Sequence, residues 1–315
     1  MQEEMVNNTS DVEWIPADAT EPVHVDETAE AEIAESDTIW DNIINMLKTN
    51  KVALVSTIII VVFVVCAIFA PLVAPYDPYA QNLDDLLQGP SWSHLLGTDE
   101  FGRDVLSRLI YGSRVSLLVR FLPTLISMVI GVVLGLIAGF IGGWVDSVIM
   151  RIADILMAFP SLLLAMLIAY TIGTGLLTIF IALSFVSWAG TARIIRSQVL
   201  SLREKEYVEA ATSIGVKRNI IILRHLLPNC LPNIIVLFTM NIPGNILSES
   251  SLSFLGCGAQ PPSTSWGLMV YKSKKYLTIT PVSTLAPGIA LLILVLAFNF
   301  LGDALRDALD PYLKD

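Results

Sequence analysis

The sequence predicts an all-α membrane protein of about six transmembrane helices with both termini on the inner side. Three observations carry that prediction. Hydrophobic residues make up 54% of the 315-residue chain and charged ones only 15%, a balance too apolar for an ordinary soluble domain. Six apolar runs follow one another from residue 52 onward, most of them near the ~20 residues that a spanning helix needs. With the N-terminus inside, twelve Lys and Arg fall in inner segments and seven in outer ones, the asymmetry that sets orientation.

Each segment has its own reason. Thirteen of the 29 acidic residues and none of the 19 basic ones lie in residues 1–41, so residues 1–38 read as an acidic, disordered cytoplasmic tail. Ile39, Trp40, Ile43, Ile44 and Leu47 recur at helical spacing, which makes 39–51 a short helix lying in the interface. No basic-then-apolar signal peptide opens the chain, so the first apolar run is expected to stay as a span. The membrane domain then occupies 52–315. Its first span is Val52–Val73, with Lys48 and Lys51 before it and Pro71, Pro75 and Pro78 closing it. An outer loop over 75–115 leads to the second span, Leu117–Ile141. Ile155–Ile172 is the third and Leu176–Trp188 a shorter fourth. An inner loop over 192–230 precedes the fifth, Ile234–Leu255, which Pro243-Gly244 is expected to break. Leu285–Leu301 is the sixth.

Gly131, Gly135 and Gly139, with Gly143 just beyond the second span, stand four apart. They make a smooth stripe on one helix face, the pattern of close helix packing. Cys66, Cys230 and Cys257 have no metal-ligand spacing and read as unpaired. No Gly-Lys dipeptide exists, so there is no phosphate-binding P-loop. His24, His94 and His225 are scattered, and neither a metal cluster nor a Gly-x-Ser-x-Gly elbow occurs. The chain is expected to be non-catalytic, with no bound cofactor, no metal and no nucleic-acid partner.

Polar residues at membrane depth are functional candidates. Asp154 lies one turn from Arg151 at the inner edge of the third span and is expected to pair with it. Glu249, with Asn245 and Ser248, Ser250 and Ser251, makes a polar patch in an apolar helix. It serves either a hydrogen bond to a neighbouring helix, the preferred reading, or a translocation path through Glu249 and Asn245.

Between the fourth and fifth spans lies YVEAATSIGVKRNIIILRHLLPN, Tyr207–Asn229. Positions 201–214 read as a helix with Ser201 as N-cap, stopped by Gly215. A second helix, Arg218–Leu227, is expected to end before Pro228. Ala210, Ala211, Thr212 and Ser213 would give this hairpin a narrow tip that fits a groove on another protein. An ordinary basic inner loop reads the same way by periodicity.

Glu209-Ala210-Ala211, Gly215 six residues after Glu209, and then Leu227-Pro228 resemble the EAA loop of ABC importer permeases. His225 departs from that pattern, which often has Ile there. LGTDEFGRDVLSRLIYGSRVSL, Leu96–Leu117, looks like the N-terminal signature of the peptide and nickel permease group. LSFLGCGAQPPSTSWG, Leu252–Gly267, LAFNFLGDALRDALDP, Leu296–Pro311, and GFIGGWVD resemble its later blocks. The likeness runs from Val52 to the C-terminus and points to the C-type member of a permease pair.

That resemblance implies a type I ABC importer permease fold in the cell membrane and a division of labour. A homologous second permease would pair with this chain. Two cytoplasmic ATPases would bind ATP and Mg, and an extracytoplasmic binding protein would deliver a dipeptide or oligopeptide. Glu209, Ala210, Ala211 and Gly215 would dock onto the ATPases. Gly97-Thr98-Asp99 and Gly102-Arg103-Asp104 would lie outside, shaping the outer gate, meeting the binding protein or holding their own loop together. Nickel or another small solute is the alternative cargo. An ion-driven secondary transporter is a rival class, for which Asp154 and Glu249 are the candidate relay groups; a membrane scaffold is another.

Overall fold

The computed structural model describes residues 39–173 and 175–309, so the acidic tail expected over 1–38 lies outside the described residues. Helices account for all the regular secondary structure described, apart from one isolated bridge between Thr98 and Asp104. Five helices are long and apolar enough to span a bilayer, and a sixth span results if one sharply bent pair is counted together.

Helix α1, Ile39–Thr49, ends at Asn50, whose Oδ1 accepts from the N–H groups of Val52 and Ala53 and caps α2, Lys51–Ile68. A turn at Ala70–Val73 and the outer loop follow. Helix α3 runs from Val105 to Ile141, 37 residues. It starts twelve residues before the expected Leu117. Its first turns carry Ser107, Arg108 and Arg114, polar residues that hide a helix from an apolar scan. At about 1.5 Å per residue it outreaches the ~30 Å hydrocarbon layer and extends into the outer loop.

The expected third span, Ile155–Ile172, is instead two helices. Helix α4, Gly143–Ala158, and α5, Ser161–Ile172, meet at 91°. Pro160 lacks a donor and drives Phe159 into extended backbone, φ −99° and ψ 143°. Helix α6, Leu176–Arg203, runs well past the expected end at Trp188. The segment expected as loop from 192 is therefore helix as far as Arg203, and its arginines lie along the last turns of α6. Helices α7, Glu206–Ser213, and α8, Arg218–Ile221, form the inner hairpin, followed by α9, Leu227–Phe254. No break appears at Pro243-Gly244; α9 continues through Pro232 and Pro243. Neighbouring helices hold such a helix straight enough to keep its remaining backbone bonded, as lipid demands. Helix α10, Trp266–Ser273, and α11, Pro281–Leu309, complete the chain.

The most extensive helix pair is α3 with α6, and the glycine stripe is the reason. A Cβ at Gly131 would lie 2.7 Å from Thr191 Cβ, at Gly135 2.7 Å from the Ala192 carbonyl oxygen, and at Gly139 2.8 Å from Val199 Cβ. Gly143 takes no part: it begins α4 with φ +56°, and a Cβ there would meet nothing within 4 Å. Asp154 pairs with Arg193 of α6 at 2.5 Å, not with Arg151, and Asp146 pairs with Arg196. Packing against α6 brings these carboxylates to arginines across the interface. The ends of α1 and α11 pack together through Met46, Leu305 and Leu309 against Val236 of α9. Both described ends of the chain thus lie at the end of the bundle that carries α7 and α8. Cys66, Cys230 and Cys257 are free thiols.

Candidate functional site

Three polar regions stand out along the bundle: the inner hairpin, the outer loop, and a set of buried groups between them. In the hairpin, Ser201 lies inside the last turn of α6 and caps nothing. Helix α7 opens instead at Lys205, with Glu206 and Glu209 in its first turn, where carboxylates favour the positive end of the helix dipole. Gly215 stops it at φ +80°. The Val216 N–H donates to the Ala211 carbonyl at 3.1 Å and the Gly215 N–H to the Thr212 carbonyl at 3.0 Å, which is a Schellman stop. A Cβ at Gly215 would meet nothing within 4 Å, so glycine is needed there for its backbone angle and not for space.

The second arm does not end before Pro228. Helix α8 passes into a π-helical turn, Ile222–Leu226, and Leu227-Pro228 open α9. Pro228 has no N–H, and its ring crowds the carbonyl four residues back. The wider turn absorbs the misfit: the Leu227 N–H bonds the Ile222 carbonyl, five residues back. The arm is therefore continuous with a membrane span. Val208 and Ala211 face inward against Ile221, Leu226 and Val199. Ala211 thus anchors the hairpin to the bundle and does not line its tip, as had been expected. Glu209 and Ala210 are exposed. Ile214 at the turn is 80% exposed, and Tyr207, Ile220 and Leu223 are exposed beside it. Together they make an exposed apolar patch around the turn.

The outer loop turns its polar side chains inward. Asp99 Oδ1 accepts from the N–H groups of Phe101 and Arg103, and its Oδ2 meets Arg103 Nε at 2.7 Å and Arg108 Nε at 3.2 Å. Asp104 caps α3 by accepting from the N–H and hydroxyl of Ser107, both at 2.7 Å, and its other oxygen lies 3.0 Å from His94 Nδ1. The Thr98 hydroxyl donates to the Asp85 carbonyl and accepts from the Gln88 N–H. Gly97 and Gly102 have φ of +76° and +69°, and a Cβ on Gly102 would lie 1.7 Å from the Asn82 carbonyl oxygen. Every polar side chain of the signature from Thr98 to Asp104 other than Glu100 is spent within the loop or on α3. Burial, then the adjacent Asp99, hold the Glu100 carboxyl above its usual range. The outward face carries Trp92, 98% exposed, with Leu83, Leu95 and Phe101.

Between these regions, Glu249 of α9 is fully buried. Its Oε2 meets Arg120 Nη2 of α3 at 3.3 Å and its Oε1 accepts from the Ser253 hydroxyl at 2.7 Å. One turn further in, Asn245 Nδ2 donates to the Thr124 hydroxyl at 2.6 Å, and the Ser187 hydroxyl of α6 donates to Asn245 Oδ1 at 3.2 Å. Thr124 in turn donates to the Arg120 carbonyl. The chain of bonds ties α3, α6 and α9 at membrane depth. Counting charges by segment assigns Arg120 to the outer side; the structure places it inside the bundle, 1% exposed.

Comparison with known proteins accounts for this arrangement. Residues 131–315 match the family "Binding-protein-dependent transport system inner membrane component", and residues 38–90 match "N-terminal TM domain of oligopeptide transport permease C". The chain belongs to this family of transporter membrane components. Among its relatives, the dipeptide transport system permease protein DppC of Alkalihalophilus pseudofirmus is 45% identical over 275 residues, covering 87% of this chain and 90% of the relative. The glutathione transport system permease protein GsiD of Shigella flexneri is 43% identical over 280 residues, covering 88% and 92%. Inward-facing structures of the MetNI methionine ABC transporter share the fold, with TM-scores of 0.52 and 0.54 at 20% identity over 64% of this chain and 96% of theirs.

The permease is thus a multi-pass membrane protein of the ABC importer class, and its likeness to the group was legible in the quoted motifs. Less legible were Arg120, Ile214 and Trp266. An arginine four residues into an apolar run is itself a signal, and Arg120 carried it. Ile214 is an ordinary apolar residue in any one-dimensional reading. Trp266 donates its indole N–H to the Leu109 carbonyl at 2.8 Å and its backbone N–H to Ser116 at 3.0 Å, contacts separated by more than 100 residues.

Proposed function

We propose that this chain is the non-catalytic permease subunit of an ATP-driven importer of dipeptides or short oligopeptides. A homologous permease completes the membrane path. Two cytoplasmic ATPases bind ATP and Mg, and an extracytoplasmic binding protein delivers the peptide. The observation that carries this reading is the inner hairpin: an exposed tip of Glu209, Ala210 and Ile214, turned at Gly215 and continuous through the π turn with α9. A push on such a tip is transmitted along a helix to Asn245 and Glu249 at membrane depth. Import is then a two-state equilibrium biased by nucleotide at the hairpin. The peptide cargo is supported by the names of relatives 41–45% identical to this chain.

The test is uptake of a radiolabelled dipeptide by cells that carry or lack the chain, with ATPase activity of the purified transporter followed in parallel. Uptake that needs the chain and falls with Gly215→Val or Glu209→Lys, while complex yield stays constant, supports the reading. Chain-independent uptake sinks the peptide assignment. Wild-type, substrate-stimulated ATP hydrolysis in both variants sinks the coupling role.

A further inference from the structure

A groove of about 800 Å³, open on the side where Ile68 and Leu118 are exposed, lies between α2, α3, α9 and α11, within the range of small-molecule sites. Its walls are mostly apolar, with Phe121, Phe238, Ile242 and Phe298 among them, and they include two arginines. Arg114 donates from Nε and Nη2 to the carbonyls of Ala67 and Ile68, closing the end of α2. Arg120 is different. Its bond to Glu249 uses Nη2, and its buried Nε and Nη1 have no hydrogen-bond partner among the described residues. The guanidinium rests over the Trp266 ring, 5.1 Å from its centroid, which holds the group in place and provides no acceptor oxygen.

Buried donors without acceptors are rare enough to require an explanation, and either free donor can form a carboxylate-matching fork with the second N–H of Nη2. The electrostatics narrow the ligand further. Arg120 and Glu249 together are neutral, so a lone ion entering this groove would bury an uncompensated charge. A zwitterionic peptide would not. The apolar walls suit apolar side chains.

We propose that this groove is a station on the import path, where Arg120 receives the C-terminal carboxylate of a short apolar peptide. The inference rests on the peptide-import reading above. Arg120 is covered in this conformation, so the contact forms in an opened state that the resting transporter reaches at equilibrium and that bound peptide selects. Thr124 and Asn245, one turn further in, are positioning residues: through the Arg120 carbonyl they fix the helix register that aims the guanidinium.

The experiment uses the assembled transporter in nanodiscs of zwitterionic lipid, with neither binding protein nor nucleotide added. Equilibrium binding of tritiated Phe-Leu is compared with that of its C-terminal amide. The wild type is expected to bind the acid about tenfold more tightly. The double variant R120Q/E249Q removes both charges together and leaves neither buried alone; the acid-to-amide ratio is expected to fall to about one. R120K, which keeps the charge but not the fork, is expected to fall between. The acid-to-amide comparison needs no variant, so a misfolded mutant leaves the test intact. Equal binding of acid and amide to the wild type overturns the proposal, as does discrimination that survives in R120Q/E249Q. Occupation by added oleate that peptide fails to displace also overturns it, because the groove is then a lipid site. Chain-dependent uptake in cells without acid–amide discrimination removes the station alone; absence of uptake removes the importer reading beneath it.

Discussion

The outer loop and the inner hairpin both hold glycines at positive φ and clustered acidic residues, yet they use them in opposite ways. In the outer loop, Thr98, Asp99 and Asp104 are buried and bonded to their own loop or to α3. At the inner hairpin Glu209 is exposed, and apolar Ile214, Leu223 and Tyr207 face outward. One region satisfies itself and presents Trp92 and Leu95; the other leaves its tip unsatisfied. A buried carboxylate held by its own loop supports shape, whereas an exposed tip on a rigid arm supports contact with a second protein. Variants should separate the two: damage to the outer loop should cost fold, and damage to the hairpin should cost coupling.

The largest effect is expected at Gly102. Replacement by Val places a side chain within 1.7 Å of the Asn82 carbonyl oxygen at φ +69°. Positive φ and overlap each cost about 1–3 kcal/mol. Yield and thermal stability of the detergent-purified transporter should fall sharply; a normal melting temperature would break the contrast at its strongest point.

Next is Asp99→Ala, which leaves Arg103 and Arg108 without their shared carboxylate. Removing one partner of a buried pair costs about 3–5 kcal/mol; the slight exposure of these groups puts the expected loss nearer 3. Stability measured by thermal unfolding decides it, and a loss below 1 kcal/mol would mean the loop does not depend on this knot.

Gly135→Leu should follow. The first added carbon already lies 2.7 Å from the Ala192 carbonyl oxygen and 2.9 Å from Ile195 Cβ. Overpacking of this kind costs about 1–3 kcal/mol, and the thermal stability of the purified chain should fall because α3 and α6 are forced apart. An unchanged melting temperature would mean that the α3–α6 contact yields without cost.

Ile214→Ser should leave stability within about 0.5 kcal/mol, because the side chain is 80% exposed. Substrate-stimulated ATP hydrolysis should nevertheless fall severalfold. Full activity would remove the hairpin's side of the comparison.

The smallest effect belongs to Glu100. Its carboxyl is held above the usual range by burial and by Asp99, so its ionisation opposes the fold at neutral pH. A raised carboxyl contributes stability that is fully present below its unfolded pKa and is lost as pH rises through the folded value. Glu100→Gln should therefore be slightly more stable than the wild type at neutral pH, with the difference closing on acidification. Melting curves of both across that range test the sign; a difference that grows on acidification contradicts it.

The amino-acid order alone determined the class of protein. Apolar runs near bilayer length, Gly131, Gly135 and Gly139 at four-residue spacing, and Gly215 after Glu209-Ala210-Ala211 are local patterns, and hydrophobicity and backbone preference act locally. Helix ends were less legible. Asp104 starts α3 before its apolar run begins, and α6 continues after its own run ends, because capping and packing replace hydrophobicity there. Prolines misled in both directions. Pro160 bends the chain by 91°, while Pro243 interrupts nothing and Pro228 is absorbed by a π turn. Which outcome a proline produces depends on whether neighbouring helices hold the backbone on either side. Only the tertiary structure decided which charges meet. Asp154 chose Arg193 over Arg151, and Glu249 found Arg120 across 129 positions of sequence. Burial penalises a lone charge and so selects the Glu249–Arg120 pair, whereas the half-exposed Asp154–Arg193 pair follows from the packing of α4 on α6; neither distance is written along the chain.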